Sequence, residues 1–393
     1  MGEARKRRKN PARSHADRRQ GVEERPSRAD AAVAVAHRLG RHTQAAAAMR
    51  VALQILCVTS ILLWFLGRSL LTRLLRSSPR CLPLPPGLLN NVSAAPSADE
   101  PSFVLLWSTN ASSFTLRPRR CLESILYHHP KATVRVYSNE LPHDFFAEFR
   151  RERFDVRLKR YNATRLLGST PAAPWLLRYN EWRKGPYFYS HVTDAIRLAL
   201  LFRVGGVYLD TDVLLARPIR LRQATTAAAS GGGGGSGGDG PPPLHDALGI
   251  ESYADARTGK PALNGAVMAF GRGSRFLYNA LHEFGADYKP DRWSWNGPDL
   301  LTRVQLRCER AEGAKVQVEP PERFYPLYWD DVSKHADGKH SAEDAKLWEV
   351  IRSRAYAVHV WNRKTNGLLF EKGSLLYKLH NTWMVLPGRE ECT

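Results

Sequence analysis

The segment "SHVTDAIRLALLFRVGGVYLDTDVLLARPI", Ser190 to Ile219, constrains the fold more than any other stretch of the 393 residues. Val192, Ala195, Ile196, Ala199 and Phe202 recur at helical spacing, Ser190 is placed to cap the helix, and Arg203 falls in its last turn. Gly205-Gly206 then stops the helix, and an apolar strand over 207–209 follows with no linker. A helix feeding straight into a buried strand is the building unit of an α/β sheet. The residues before it agree. "FVLLW" from Phe103 reads as a first strand, Cys121 to His128 as a helix, and "TVRVYS", Thr133 to Ser138, as a second strand, an order that favours parallel pairing.

Asp210 and Asp212 stand at the carboxyl end of the strand over 207–209, where open α/β sheets place their ligands. Strand side chains alternate, so the two carboxylates point to one side while Thr211 points away. Two carboxylates converging there repel unless a cation lies between them. A hard divalent ion, Mn²⁺ or Mg²⁺, satisfies both and can hold a diphosphate at its open positions. An isolated D-x-D is weak support, because solvated loop acids give the same pattern. The apolar strand before it and the helix before that strand give it weight. Asp194 and Arg197, one helical turn apart, share a face and join the candidate site; an ordinary surface ion pair is the alternative.

The formal net charge of +20 is unevenly spread. Residues 1–80 carry 17 Lys/Arg against 5 Asp/Glu, so the body is only mildly basic, and nucleic acid is not expected as its partner. Val51 to Gly67 is a run of 17 residues without a charge, the short end of a membrane-spanning helix. With 50 residues ahead of it, this run suits a retained signal-anchor better than a cleaved leader. "RKRRK" (Arg5 to Lys9) favours a cytoplasmic amino terminus, but Arg68, Arg73, Arg76 and Arg80 load the other flank as heavily. The sequons at Asn91, Asn110 and Asn162 all follow the anchor and lean towards a luminal body.

The resulting organisation is a basic tail over 1–48, an anchor over 49–71 and a Pro/Ser/Ala-rich stem over 72–100. A nucleotide-sugar and D-x-D half (101–222) and an acceptor-side half (244–393) flank a Gly/Pro insertion at 223–243 that carries no chemistry. Of five cysteines, Cys57 lies in the apolar run. Cys81, Cys121, Cys308 and Cys392 are enough for two disulfides, with the pairing open.

"SHVTDAIRLALLFRVGGVYLDTDV" resembles the central motif of DxD-containing sugar transferases of the α-1,4-glycosyltransferase family, the group of globotriaosylceramide (lactosylceramide 4-α-galactosyltransferase) synthases. "LNGAVMAF", "GPDLLTRV", "FYP" and "YAVHVWN" resemble the carboxyl-terminal region of that family in the same order, so the likeness covers about 103–390 apart from the insertion. The resemblance implies a GT-A-like, Rossmann-like α/β domain that takes a UDP-sugar and a divalent metal and retains anomeric configuration. Asp210 and Asp212 would then hold the metal and donor diphosphate, and Asp194 and Arg197 the donor sugar or phosphate. His359 would be a further metal ligand and Lys364 a neutraliser of the leaving phosphate; a structural histidine and an exposed lysine are the ordinary alternatives.

Asn264 and the "NGPD" turn (Asn296 to Asp299) suit either sugar contact or turn chemistry, and Trp293, Trp295 and Trp329 either sugar platforms or core. The expected protein is a single-pass type II Golgi membrane enzyme transferring galactose or N-acetylglucosamine, α-1,4, to a glycan or glycolipid. A non-catalytic, membrane-anchored glycan-binding or scaffold protein on the same fold is the competing reading.

Overall fold

Alternation of apolar residues along the first strand sets the layers of the molecule. The computed structural model describes residues 54, 56–60, 80–86, 101–221, 244, 246–255 and 260–386. Strand β1 (Phe103–Leu106) sends Phe103 and Leu105 into one apolar core and Val104 and Leu106 into another on the opposite face of the sheet. Helix α1 (Leu116–His128) crosses to β2 (Val134–Tyr137), which pairs parallel with β1; β3 (Val156–Lys159) adds to β2, also parallel.

Helix α2 (Phe188–Val204) returns the chain to the other side of β1, where β4 (Gly206–Leu209) pairs parallel with it. This reversal of strand order between β2 and β4 makes a topological switch point at the carboxyl end of β1, with the two aspartates beside it. The expected Ser190 cap is not realised. The helix starts three residues earlier, with Tyr187 at its amino-terminal boundary and no side-chain cap bond, so Ser190 lies within the first turn. The glycine stop is realised. Gly205 (φ 63°) and Gly206 (φ 109°) are both in left-handed backbone, and a Cβ on Gly206 would collide with the Ser102 carbonyl oxygen.

β5 (Val213–Leu215) leaves the main sheet and pairs antiparallel with β9 (Ala357–His359), in register Val213 with His359. β6 (Ala247–Asp255), β7 (Lys260–Phe270) and β8 (Gln317–Glu319) complete a seven-stranded sheet of order β3-β2-β1-β4-β7-β6-β8. Antiparallel pairing of β7 with β4 and β6 makes the sheet mixed, and segments on both sides of the Gly/Pro insertion share it. Helices α3 (Arg275–Ala286) and α4 (Pro298–Cys308) pack with α2 on one face, and α1 covers the other. A smaller core joins β9 to helices Ser341–Arg354 and Leu375–Thr382.

The compact unit runs over Pro79–Thr393. Part of the expected stem is fixed to it. Cys81 is bonded to Cys308, Leu82 N–H donates to Asn279 Oδ1 at 2.7 Å, and Arg275 donates to the Leu82 carbonyl at 2.8 Å. Of the other two candidate cysteines, Cys121 is a free thiol buried under β5, so it forms no second disulfide, and Cys392 lies outside the described residues. Most of the expected anchor, the basic tail and the insertion also lie outside them. Residues 54 and 56–60 are helical, and among the described residues no helix is long and apolar enough to cross a membrane.

Candidate active site

Leu209 ends β4, and the chain turns over Asp210–Asp212 before β5 begins. The turn is fixed through its backbone: Asp210 N–H donates to the Ala266 carbonyl at 2.8 Å, and Val213 N–H to the Asp210 carbonyl at 3.0 Å. The buried Cys121 thiol donates to the same carbonyl from below, at 3.4 Å. With the main chain held at three points, both carboxylates project to one side.

β9 brings His359 to them, because its register with β5 sets the histidine opposite Val213. One ligand atom each from Asp210, Asp212 and His359 lie within 4.8 Å of one another. His359 Nε2 is 3.2 Å from Asp212 Oδ1, and Asn362 N–H donates to the other oxygen, Oδ2, at 2.8 Å. Burial pushes the Asp212 carboxyl up, but the His359 charge and these hydrogen bonds outweigh it and hold it below the ordinary range. Burial in turn opposes charge on His359, and Asp212 overcomes it, raising the imidazole above its usual value. Val358 and Val360 pack into the smaller core while His359, between them, turns to the aspartates; all three are buried, since β9 is covered on both faces.

α2 supplies the second half of the site. Arg197 reaches Asp194 Oδ1 at 2.9 Å, Asp210 Oδ2 at 3.3 Å and the Gly265 carbonyl at 3.0 Å, so the guanidinium bridges the helix to the D-x-D turn and to β7. This is no surface ion pair. Burial pushes the Asp194 carboxyl up to about 6 even with Arg197 alongside, and the Asp210 charge adds to the rise. Gly297 closes the far side of Asp194; a Cβ there would lie 2.6 Å from Oδ2.

Several groups here went unnoticed in the sequence. Tyr208 donates to Asp210 Oδ1 at 2.6 Å; period-2 alternation, which puts it on the face of Asp210, is the signal that could have found it. Tyr325 braces strand β7 by donating to the Asn264 carbonyl and accepting from Val267 N–H, both at 3.1 Å. The backbone of Asn362 has no sequence signature at all.

The other expected residues fall elsewhere. The Lys364 ammonium lies 3.5 Å from Asp330 and 4.1 Å from the Trp329 ring centroid, turned to these rather than to the aspartates. Asn264 is in strand β7, not a turn, and donates to Glu251 Oε2 at 2.7 Å. Asn296 is buried and ties Lys289 to the His191 ring. Trp295 is half-buried beneath Arg303, whereas Trp293 is 48% exposed, with Tyr187 against its edge and Arg363 over its ring.

Residues 116–229 match the family described as "Glycosyltransferase sugar-binding region containing DXD motif", and residues 269–382 that described as "Alpha 1,4-glycosyltransferase conserved region". The lactosylceramide 4-alpha-galactosyltransferase of Rattus norvegicus is 32% identical over 276 residues, covering 66% of this chain and 67% of the rat protein. The chain belongs to the α-1,4-glycosyltransferase family. Within this family's reach lies the alpha-1,4-N-acetylglucosaminyltransferase of Homo sapiens, 24% identical over 244 residues that cover 58% of the chain and 57% of the human protein. An uncharacterized protein of Arabidopsis thaliana is 28% identical over 70% of this glycosyltransferase, and the match spans 40% of the plant protein. The Asp210–Asp212 turn lies inside the first matched region and His359 inside the second.

Proposed function

We propose that the protein is a metal-dependent, retaining glycosyltransferase of GT-A type that moves a sugar from UDP to a glycan or glycolipid hydroxyl. The observation that carries this reading is the convergence of Asp210, Asp212 and His359 within 4.8 Å at the carboxyl end of β4. Two carboxylate oxygens and one imidazole nitrogen fit a divalent ion such as Mn²⁺ or Mg²⁺. When bound there, the ion supplies positive charge against the diphosphate that departs.

The chain's own residues supply the rest. Asp210 is oriented from two sides, by the Tyr208 hydroxyl and the Arg197 guanidinium, and Asp212 by Asn362 N–H. Preorganised in this way, the carboxylates need no rearrangement to bind. The Asp194 carboxylate, backed by Arg197 and Gly297, is an acceptor for donor-sugar hydroxyls. Trp293 offers an exposed aromatic face for the acceptor sugar. Retention proceeds by front-face attack or through a covalent glycosyl intermediate.

The names of the rat and human relatives support an α-1,4 link from galactose or N-acetylglucosamine. The test is a donor screen in Mn²⁺ that scores release of each nucleoside diphosphate; UDP is expected from UDP-galactose or UDP-N-acetylglucosamine, and no release from any donor would remove the reading.

We further infer a single-pass type II Golgi protein with a luminal body. The basic tail, the uncharged run over 51–67 and the placement of all three sequons beyond it support this. Asn110 and Asn162 are exposed, each capping a short helix. An endoglycosidase shift abolished by changing Asn91, Asn110 and Asn162 to Gln is expected; a body open to protease in sealed vesicles would contradict the topology.

A further inference from the structure

Trp361 stands two residues beyond the end of β9 and has φ 51° and ψ 64°. Among the described residues, Arg153 is the one other non-glycine with positive φ. Left-handed backbone crowds the Cβ of a bulky side chain, so such a conformation persists where surrounding contacts impose it. At Trp361 those contacts are on hand. Its indole N–H donates to the Leu327 carbonyl at 2.9 Å, and its own carbonyl accepts from Lys364 N–H at 2.7 Å and Thr365 N–H at 3.1 Å.

The conformation delivers two donors to one aspartate. Val360 N–H, just before Trp361, reaches the Asp212 carbonyl at 2.9 Å; Asn362 N–H, just after it, reaches Asp212 Oδ2 at 2.8 Å. In an extended strand, N–H groups two residues apart would run on along the partner strand rather than return to the same residue. The reversal at Trp361 brings them together.

The ring does the same for the histidine. The indole and imidazole centroids are 3.8 Å apart with planes inclined at 34°, and Tyr325 flanks both rings, 6.0 Å from His359 and 6.2 Å from Trp361. A metal-ligating histidine is ordinarily oriented by a hydrogen bond from its other ring nitrogen. Here His359 Nδ1 is buried and has no hydrogen-bond partner among the described residues. Ring packing takes the place of that hydrogen bond.

We propose that Trp361 is the positioning residue of the site, its backbone fixing Asp212 and its ring fixing His359. The proposal rests on the reading of Asp210, Asp212 and His359 as metal ligands. Its test measures Mn²⁺ dissociation constants by paramagnetic resonance for the full chain and for Trp361→Phe, Trp361→Leu and Trp361→Gly, alongside unfolding temperatures in EDTA. Leucine fills volume without an aromatic face, and glycine keeps the reversal without a ring. Both are expected to weaken Mn²⁺ binding by about 10-fold or more, while phenylalanine retains most of the affinity. Wild-type affinity in the folded leucine or glycine protein would overturn the proposal, as would losses that merely follow the EDTA unfolding temperatures across the series. Failure of the wild-type protein to bind Mn²⁺ is a different result, and it would remove the metal reading itself.

Discussion

Gly297 lies so close to the Asp194 carboxylate that any side chain at that position displaces it, since a Cβ would approach Oδ2 to 2.6 Å. Gly297→Ala is therefore expected to push Asp194 off Arg197 and loosen the guanidinium from Asp210. The predicted outcome is loss of donor use with a destabilisation of about 1–3 kcal/mol, the usual cost of overpacking. Steady-state kinetics against donor concentration and a thermal melt check it. An alanine variant with unchanged kinetics would show that Asp194 has no contact with the donor.

Arg197 spreads its guanidinium over Asp194, Asp210 and the Gly265 carbonyl. A lysine keeps the charge but lacks the planar fork. Losing one such charged hydrogen bond corresponds to about 10- to 100-fold in rate, so Arg197→Lys should lower kcat/KM by that much while leaving the fold intact. Near-normal turnover in the lysine variant would reduce Arg197 to a source of charge.

His128 and His129 end α1, and burial lowers each imidazole from its ordinary value to about 4, with the neighbouring His129 charge adding to the effect on His128. His129 Nε2 accepts the Ile219 N–H at 3.0 Å, which needs the neutral ring. The unfolded chain takes up protons near pH 6.5 and the folded one near 4, so stability is complete above about 6.5 and falls as pH drops towards 4. The loss is bounded at about 3 kcal/mol per histidine. Melting temperature against pH measures it. His129→Gln, which preserves an acceptor for Ile219, should flatten the slope.

The Cys81–Cys308 bond closes a loop with a sequence separation of 227 and fastens the segment ahead of the body onto α4. Such a loop predicts a loss of about 3–5 kcal/mol on removal. Cys81→Ser with Cys308→Ser should melt lower yet turn over normally in the cold, because α4 meets the site through its amino-terminal end rather than at Cys308. Equal melting temperatures with and without reductant would contradict this.

Much of the site was legible because its residues lie where local rules apply. Period-2 and helical spacing placed Asp210, Asp212, Asp194 and Arg197 on the correct faces, and Gly205-Gly206 marked the turn between their elements. His359 was reachable only through the resemblance of its segment, "YAVHVWN", to the family's carboxyl-terminal region. What escaped depends on contacts between distant stretches. Nothing local indicates that Asn362 N–H meets a carboxylate 150 residues earlier, or that Lys364 turns towards Asp330. Ser190 failed as a cap because α2 begins three residues earlier, with its boundary at Tyr187, and Cys121 failed as a disulfide partner because α1 buries it against the D-x-D turn.

The central claim is that Asp210, Asp212 and His359 jointly hold a divalent ion required for transfer, and UDP release against Mn²⁺ concentration tests it most directly. In wild-type protein release should rise with Mn²⁺ and vanish in EDTA. Asp210→Asn and Asp212→Asn should each lower it by about 100-fold or more, with circular dichroism unchanged, and His359→Ala should demand more Mn²⁺ for the same rate. Full activity in excess EDTA, or in the double Asp210→Asn, Asp212→Asn protein, would contradict the account.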